Sequence, residues 1–200
     1  MKILLTGGNG LLGQELKKHI RCYAPSHKEF DITKNIIFTS YDLIIHAAAY
    51  TDVQKAETEK LECFNTNVYG TLHLLNNFPK TPFVYISSEY AHKPVNFYSL
   101  TKSLAEQLVM THPNYLIIRT LFKPNPYPFD KAFVDQYTQG DYVDVIAPLI
   151  AQEIINWNKK SKLIYIGTGR KTMYELALKT RAVDGNSVKD MKIKIPCDYL

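Results

Sequence analysis

The apolar run Ile3-Leu4-Leu5 stands almost at the N-terminus, followed at once by Thr6-Gly7-Gly8-Asn9-Gly10-Leu11-Leu12-Gly13 and then by Gln14-Glu15-Leu16-Lys17-Lys18-His19-Ile20. This reads as a buried strand, a glycine turn and a helix, the hand-over expected at the centre of a parallel sheet. Without Cβ atoms, Gly7, Gly8 and Gly10 let the chain turn sharply and present backbone N–H groups at the positive end of the helix dipole, where a phosphate is favoured. Gly13 lets the helix pack close to the sheet. The spacing Gly7, Gly10, Gly13 is one residue looser than the commoner dinucleotide fingerprint, and glycines alone are a weak signal, so other parts of the chain must agree with them.

Alternation of apolar patterns supplies that agreement. Runs at 41–46, 83–86, 115–119 and 163–166 read as further strands. Residues 58–76 carry Leu61, Phe64, Val68, Leu72 and Leu75 at helical spacing, and a helix opening at Tyr98 turns Leu104, Ala105 and Leu108 inward. Cys22-Tyr23-Ala24 fits a short second strand, and Thr33 caps a brief helical turn. Tyr142-Val143-Asp144-Val145 fits a strand feeding a helix over 146–157, and Thr172-Met173-Tyr174-Glu175 has the form of a capping box. The expected fold class is α/β, a doubly wound parallel sheet of the Rossmann type with a small C-terminal appendage. Lys123-Pro124-Asn125-Pro126-Tyr127-Pro128 cannot be regular helix or central strand. The expected division is therefore 1–122 for a dinucleotide-binding core and 123–200 for a reduced substrate-binding portion interwoven with it.

Two hundred residues with 46% apolar content suffice for one such domain and a small appendage. No run approaches the ~20 apolar residues of a membrane span, and the chain enters a strand directly, so a soluble, cytoplasmic protein is expected. Cys22, Cys63 and Cys197, an odd number without C-x-x-C spacing, suggest neither a disulfide framework nor a metal site and read as reduced packing residues. A net charge of +5 without a block of like charges argues against nucleic acid and suits anionic small molecules.

Open α/β sheets bind ligands at the carboxyl ends of their strands, so the residues there are the candidates for chemistry. Ser26, His27 and Lys28 follow the second strand without an acidic partner, which favours NADP(H) over NAD(H). Ala47, Ala48 and Ala49 leave room for a cofactor, Asp31 either reaches its adenine or forms a turn, and Asn67 is placed to hydrogen-bond inside the fold. Tyr127, Phe129, Phe133 and Tyr137 either pack a small core or make an apolar face for a partner. Ser87-Ser88-Glu89-Tyr90 ends the 83–86 strand, with Ser88, Glu89 and Tyr90 placed toward a substrate. Tyr98 and Lys102, four apart, share one helical face. A hydroxyl, a phenol and an ammonium supply what hydride transfer to a carbonyl asks of a protein: Ser88 to bond the carbonyl oxygen, Tyr98 to donate the proton, and Lys102 to lower the phenol's pKa and hold the nicotinamide ribose.

Six pieces of the chain, read together, resemble the extended short-chain dehydrogenase/reductase family, most of all its dTDP-4-dehydrorhamnose reductase group. They are Thr6 to Gly13, Phe30-Asp31-Ile32-Thr33, His46-Ala47-Ala48-Ala49-Tyr50-Thr51-Asp52-Val53, Asn67-Val68-Tyr69-Gly70-Thr71, Tyr85-Ile86-Ser87-Ser88-Glu89-Tyr90 and Tyr98 to Lys102. The resemblance covers most of 1–120 and implies a catalytic triad of Ser88, Tyr98 and Lys102. It places Gly7, Asn9, Gly10, Leu11, Leu12, Gly13, Asp31, Ile32 and Ala47, Ala48 and Ala49 around a nicotinamide cofactor, beside Ser26, His27 and Lys28. The substrate it implies is a nucleotide-linked 4-keto-6-deoxy sugar, reduced with NADPH or NADH. Members of the group are longer; the missing length falls after Arg119 and between Ser88 and Tyr98, so the sugar site is expected to be open, its missing walls supplied by a second subunit, by a loop that orders on binding or not at all, with a homodimer the expected state. Two alternatives stand beside the reductase: a nucleotide-sugar epimerase or dehydratase with tightly held NAD, and a cofactor-binding regulatory subunit without turnover.

Overall fold

The computed structural model describes residues 1–34 and 40–198. Five parallel strands form the central sheet: β1 (Ile3–Thr6), β2 (Leu43–His46), β3 (Phe83–Ile86), β4 (Tyr115–Arg119) and β5 (Lys162–Tyr165), in that spatial order. Six α-helices accompany them among the described residues: α1 (Leu11–His19), α2 (Lys60–Phe64), α3 (Gly70–Asn77), α4 (Phe97–Met110), α5 (Val143–Asn156) and α6 (Met173–Leu178). The strands are short and almost wholly apolar because helices cover both faces. Their side chains alternate: Ile3, Leu5, Ile45, Val84, Ile86, Leu116 and Ile118 pack with α1 and α5, whereas Leu4, Ile44, Phe83, Tyr85 and Ile117 pack with α3 and α4.

The expected second strand is a single parallel bridge from Tyr23 to Leu4, on the side of β1 away from β2. Leu5 N–H donates to the Tyr23 carbonyl (2.9 Å) and Tyr23 N–H to that of Ile3 (2.8 Å). After β1 the chain thus steps to one side and then crosses back to the other, and this reversal leaves a crevice at the carboxyl end of β1. The helical turn expected after Thr33 lies outside the described residues.

Four local expectations are corrected. A π turn over Asn65–Tyr69 joins α2 to α3, and its extra residue rotates the inward face. Cys63, Asn67, Val68, Thr71, Leu74 and Leu75 are buried, while Leu61 and Phe64 are exposed. On α4, Leu104 is exposed too, because Tyr98, Thr101, Lys102 and Glu106 occupy the inward face along with Ala105 and Val109. Asp141–Tyr142 is only a two-residue strand beside Phe122–Lys123, and α5 starts at Val143. Of the three free cysteines, Cys197 is exposed and does not pack.

Beyond Arg119 the chain serves two structures. α5 and β5 return to the sheet, whereas flanking segments form a cap whose core holds Tyr90, Leu121, Tyr127, Ala132, Tyr142, Met173 and Leu176. The reciprocal Thr172–Glu175 capping box opens α6, as its spacing implies. Tyr127 is buried in the cap, and Phe129 is exposed. No helix among the described residues is long and apolar enough to cross a membrane.

Candidate active site

Helix α1 starts behind Gly10, which offers no side chain to cap the first turn; that turn holds no acidic residue, and the last carries Lys17, Lys18 and His19. The leading N–H groups therefore face the crevice in the positive field of the helix with no carboxylate to compete for them. Three of the glycines are demanded by packing, Gly8 among them because a Cβ there would lie 2.6 Å from that of Ala24. Gly7 has φ +73°, and a Cβ there would lie 2.6 Å from the Ala48 nitrogen; a Cβ at Gly13 would lie 2.2 Å from the Gly7 carbonyl oxygen. Gly10 differs: a Cβ there meets only the Gly7 oxygen, at 3.2 Å, and otherwise enters open space.

That space belongs to a groove of about 700 Å³, within the size of small-molecule sites. The glycine turn lines it, as do Ala47, Ala48 and Ala49 beyond β2, and Phe122, Lys123, Pro124, Pro128 and Phe129 from the cap. Asn67 is buried and lines neither the groove nor the cavity beside it. Its side chain accepts from Tyr50 N–H (2.8 Å) and donates to the Tyr50 carbonyl (3.2 Å) and the Thr101 hydroxyl (3.0 Å), pinning the turn after β2 to α4. His46, at the end of β2, is wedged between the Thr6 and Thr71 hydroxyls; burial, helped by the charge of Lys102, lowers its pKa to about 3, so it is neutral.

A second cavity of about 170 Å³ shares Leu12, Ala47, Ala49, Thr51, Phe122 and Lys123 with the groove. Ser88, Tyr90, Tyr98 and Lys102 line it. The start of α4 is locked by a reciprocal box between Asn96 and Ser99 and by Phe97 N–H donating to Glu57 (2.6 Å), so Tyr98 sits on a fixed turn. Burial raises the Tyr98 pKa, against a lowering hydrogen bond with Ser88, and the phenol keeps its proton at neutral pH. Lys102, one turn on, is buried; its Nζ donates to the Ile86 carbonyl (2.9 Å) and lies 4.2 Å from the Tyr85 ring centroid. Burial lowers its pKa to about 7, although Glu106 pushes the other way. Glu106 is itself fully buried, accepting from the Ser87 hydroxyl (2.5 Å) and from two Arg119 nitrogens (2.9 and 2.6 Å).

A family model described as the RmlD substrate binding domain matches residues 1–152. The chain belongs to this family. Among relatives, a dTDP-4-dehydrorhamnose reductase from Aggregatibacter actinomycetemcomitans is 28% identical over 196 residues, covering 82% of this chain and 67% of that protein. The chain thus spans about two thirds of that reductase's length. A crystal structure of a dTDP-4-dehydrorhamnose reductase from Clostridium acetobutylicum has a TM-score of 0.83 at 22% identity, covering 97% of this chain and 86% of that one. Another from Bacillus anthracis, in complex with NADP, has a TM-score of 0.81 at 22% identity, covering 98% and 87%. At such identity the structural likeness is one of fold.

In this RmlD-family chain the groove gathers Gly7, Asn9, Gly10, Leu11, Leu12, Gly13, His27, Ile32, Ala47, Ala48 and Ala49, and the inner cavity gathers Ser88, Tyr90, Tyr98 and Lys102. Four expected site residues line neither. Ser26 turns its hydroxyl to Glu29 (2.7 Å), so this loop does hold an acidic group, and Lys28 is exposed beside it. Asp31 takes the turn-forming alternative: burial pushes its pKa up, but the Thr33 hydroxyl and N–H, with Lys34 and His27 nearby, bring it down to about 2. Glu89 is buried and accepts from the Thr138 hydroxyl (2.6 Å) and Gln139 N–H (3.0 Å), which ties the end of β3 to the cap. Short polar side chains in turns bond to whatever is near, and here the near groups are structural. Sequence reasoning did not count Thr6, Thr51, Thr66, Phe122, Lys123, Pro124, Pro128 and Phe129 among the site residues; nothing local says that the last five reach the groove, because the cap brings them there from far along the chain.

Proposed function

We propose that the chain is an NAD(P)-dependent reductase of a nucleotide-linked 4-keto-6-deoxy sugar, with Tyr98 as general acid. The observation that carries this reading is the meeting of Ser88, Tyr98 and Lys102 in a cavity whose walls continue into a groove with a phosphate cradle at Gly10. The names of the related reductases support the substrate class. When bound, the nicotinamide supplies a hydride to the carbonyl carbon of the substrate. Tyr98 donates its phenolic proton to the carbonyl oxygen as charge develops there. Ser88 accepts Tyr90 N–H on its oxygen (3.1 Å), which leaves its own proton to bond the same carbonyl oxygen. Lys102, when protonated, stabilises the phenolate left on Tyr98 until solvent returns the proton.

Between the two cofactors the reading takes NADPH, on His27 at the rim of the groove. It also takes a cytoplasmic location, where free thiols such as those of Cys22, Cys63 and Cys197 stay reduced. A homodimer is expected to complete the sugar site; light scattering that gives a monomer, with micromolar sugar-nucleotide binding, would remove that part. The main test mixes the protein with NADPH or NADH and a dTDP-linked 4-keto-6-deoxy sugar, following nicotinamide absorbance and the mass of the sugar product. Matched cofactor oxidation and a two-hydrogen gain in the sugar are expected. Cofactor binding without oxidation by any nucleotide-linked keto sugar would sink the reductase reading.

A further inference from the structure

We infer that Lys123 is a positioning residue for the bridging phosphates of the dinucleotide, gripping them from the cap while the glycine turn holds them from the core. The inference rests on the cofactor-binding part of the proposed function. Lys123 lines both cavities, at the residues they share, where a dinucleotide running from the groove into the inner cavity must pass. Among the residues lining the groove it is the only lysine or arginine, and no aspartate or glutamate accompanies it. The partly buried ammonium has no hydrogen bond or ion pair among the described residues; its described contact is the Phe129 ring, whose centroid lies 5.3 Å from Nζ. Burial lowers its pKa. A partly buried cation without a counter-charge is costly, and an anionic ligand removes that cost.

The backbone holds Lys123 in place. Phe122–Lys123 pairs with Asp141–Tyr142 immediately before α5, and Pro124 follows, with its φ locked by its ring. The start of α1 presents only partial positive charge, roughly half a unit, to a ligand segment that carries two negative charges. Lys123 supplies the full unit charge that the glycine turn lacks.

The test is calorimetric titration of NADPH, NADH and ADP-ribose into the wild-type chain, Lys123→Met and Lys123→Arg. ADP-ribose carries the bridging phosphates without the nicotinamide. Lys123→Met is expected to raise Kd for all three by on the order of tenfold, the loss of one charge-assisted contact, with Lys123→Arg close to wild type and the gap shrinking in high salt. Should Lys123→Met fail to fold by its melting curve, Lys123→Gln carries the same expectation. Unchanged ADP-ribose affinity overturns the inference, as does a loss confined to NADPH, which would mark a 2′-phosphate contact, or a loss confined to a sugar nucleotide. A wild-type chain that binds no dinucleotide brings down the cofactor reading together with this one. Wild-type binding unaffected by the substitution brings down this one alone.

Discussion

Around Gly7, Gly10 and Gly13 the groove is walled by backbone, whereas the inner cavity beside it is walled by side chains, Ser88, Tyr98 and Lys102, held out of water. In the first region the proposed function needs side chains to be absent, so that N–H groups and helix dipole reach a phosphate directly. In the second it needs side chains whose proton affinities are set by burial, as the raised pKa of Tyr98 and the lowered pKa of Lys102 illustrate. Damage should therefore differ in kind. Steric changes in the groove act on folding or binding, and chemical changes in the cavity act on rate and pH dependence.

The largest effect is expected within the glycine turn itself, where two substitutions separate packing from binding. Gly13→Val places carbon within 2.2 Å of the Gly7 oxygen and should leave no cooperatively folded protein in a melting experiment. Gly10→Val presses only on the Gly7 oxygen, at 3.2 Å, and otherwise enters open space, so its melting should fall far less than that of Gly13→Val while calorimetry detects no dinucleotide binding. If Gly10→Val keeps its affinity, the turn is a packing device only and the contrast between the two regions fails.

Next in size is Tyr98→Phe, which removes one hydroxyl and little packing. Turnover should fall by on the order of 10²- to 10⁴-fold, with cofactor affinity and melting temperature unchanged. A variant with near wild-type kcat would take the general-acid role from Tyr98.

A smaller and more diagnostic effect concerns Lys102. Its folded pKa of about 7 lies below the ordinary 10.5, so between these values the unfolded chain binds more protons than the folded one. Stability from this group thus rises with pH across that window, and the penalty is fully present below about pH 7. Lys102→Met should be more stable than wild type at and below neutral pH, with the difference closing toward pH 10.5 in denaturant titrations. Turnover of the wild type should decline on the alkaline side as the ammonium is lost, and Lys102→Met should be slow with that limb absent. A stability gap that does not change with pH would mean that Lys102 is not the desolvated group its surroundings imply.

Much of this was legible along the chain because it is encoded locally. The apolar runs of β1, β3 and β4, the glycine spacing, the Thr172–Glu175 box and the four-residue step from Tyr98 to Lys102 each lie within a few residues, and strand and helix periodicities report on such neighbours directly. Burial was less legible wherever polar residues took core positions. On α4 the apolar pattern put Leu104 inside, yet the inward face carries Tyr98, Thr101, Lys102 and Glu106; between α2 and α3 a π turn, which no spacing announces, turned Leu61 and Phe64 outward.

The sequence by itself determined the parallel α/β core, the glycine turn at the end of β1 and the order of hydroxyl, phenol and ammonium, because each depends on residues near one another in the chain. Only the tertiary structure decided that Glu89 is occupied with Thr138, and that Lys123 and Phe129 come back across the molecule to wall the groove. A polar group's role is set by the partner it finds. Glu89 meets Thr138 from 49 positions away, and Asn67 meets Thr101 from 34, contacts that exist only once the cap and the helices are packed on the sheet.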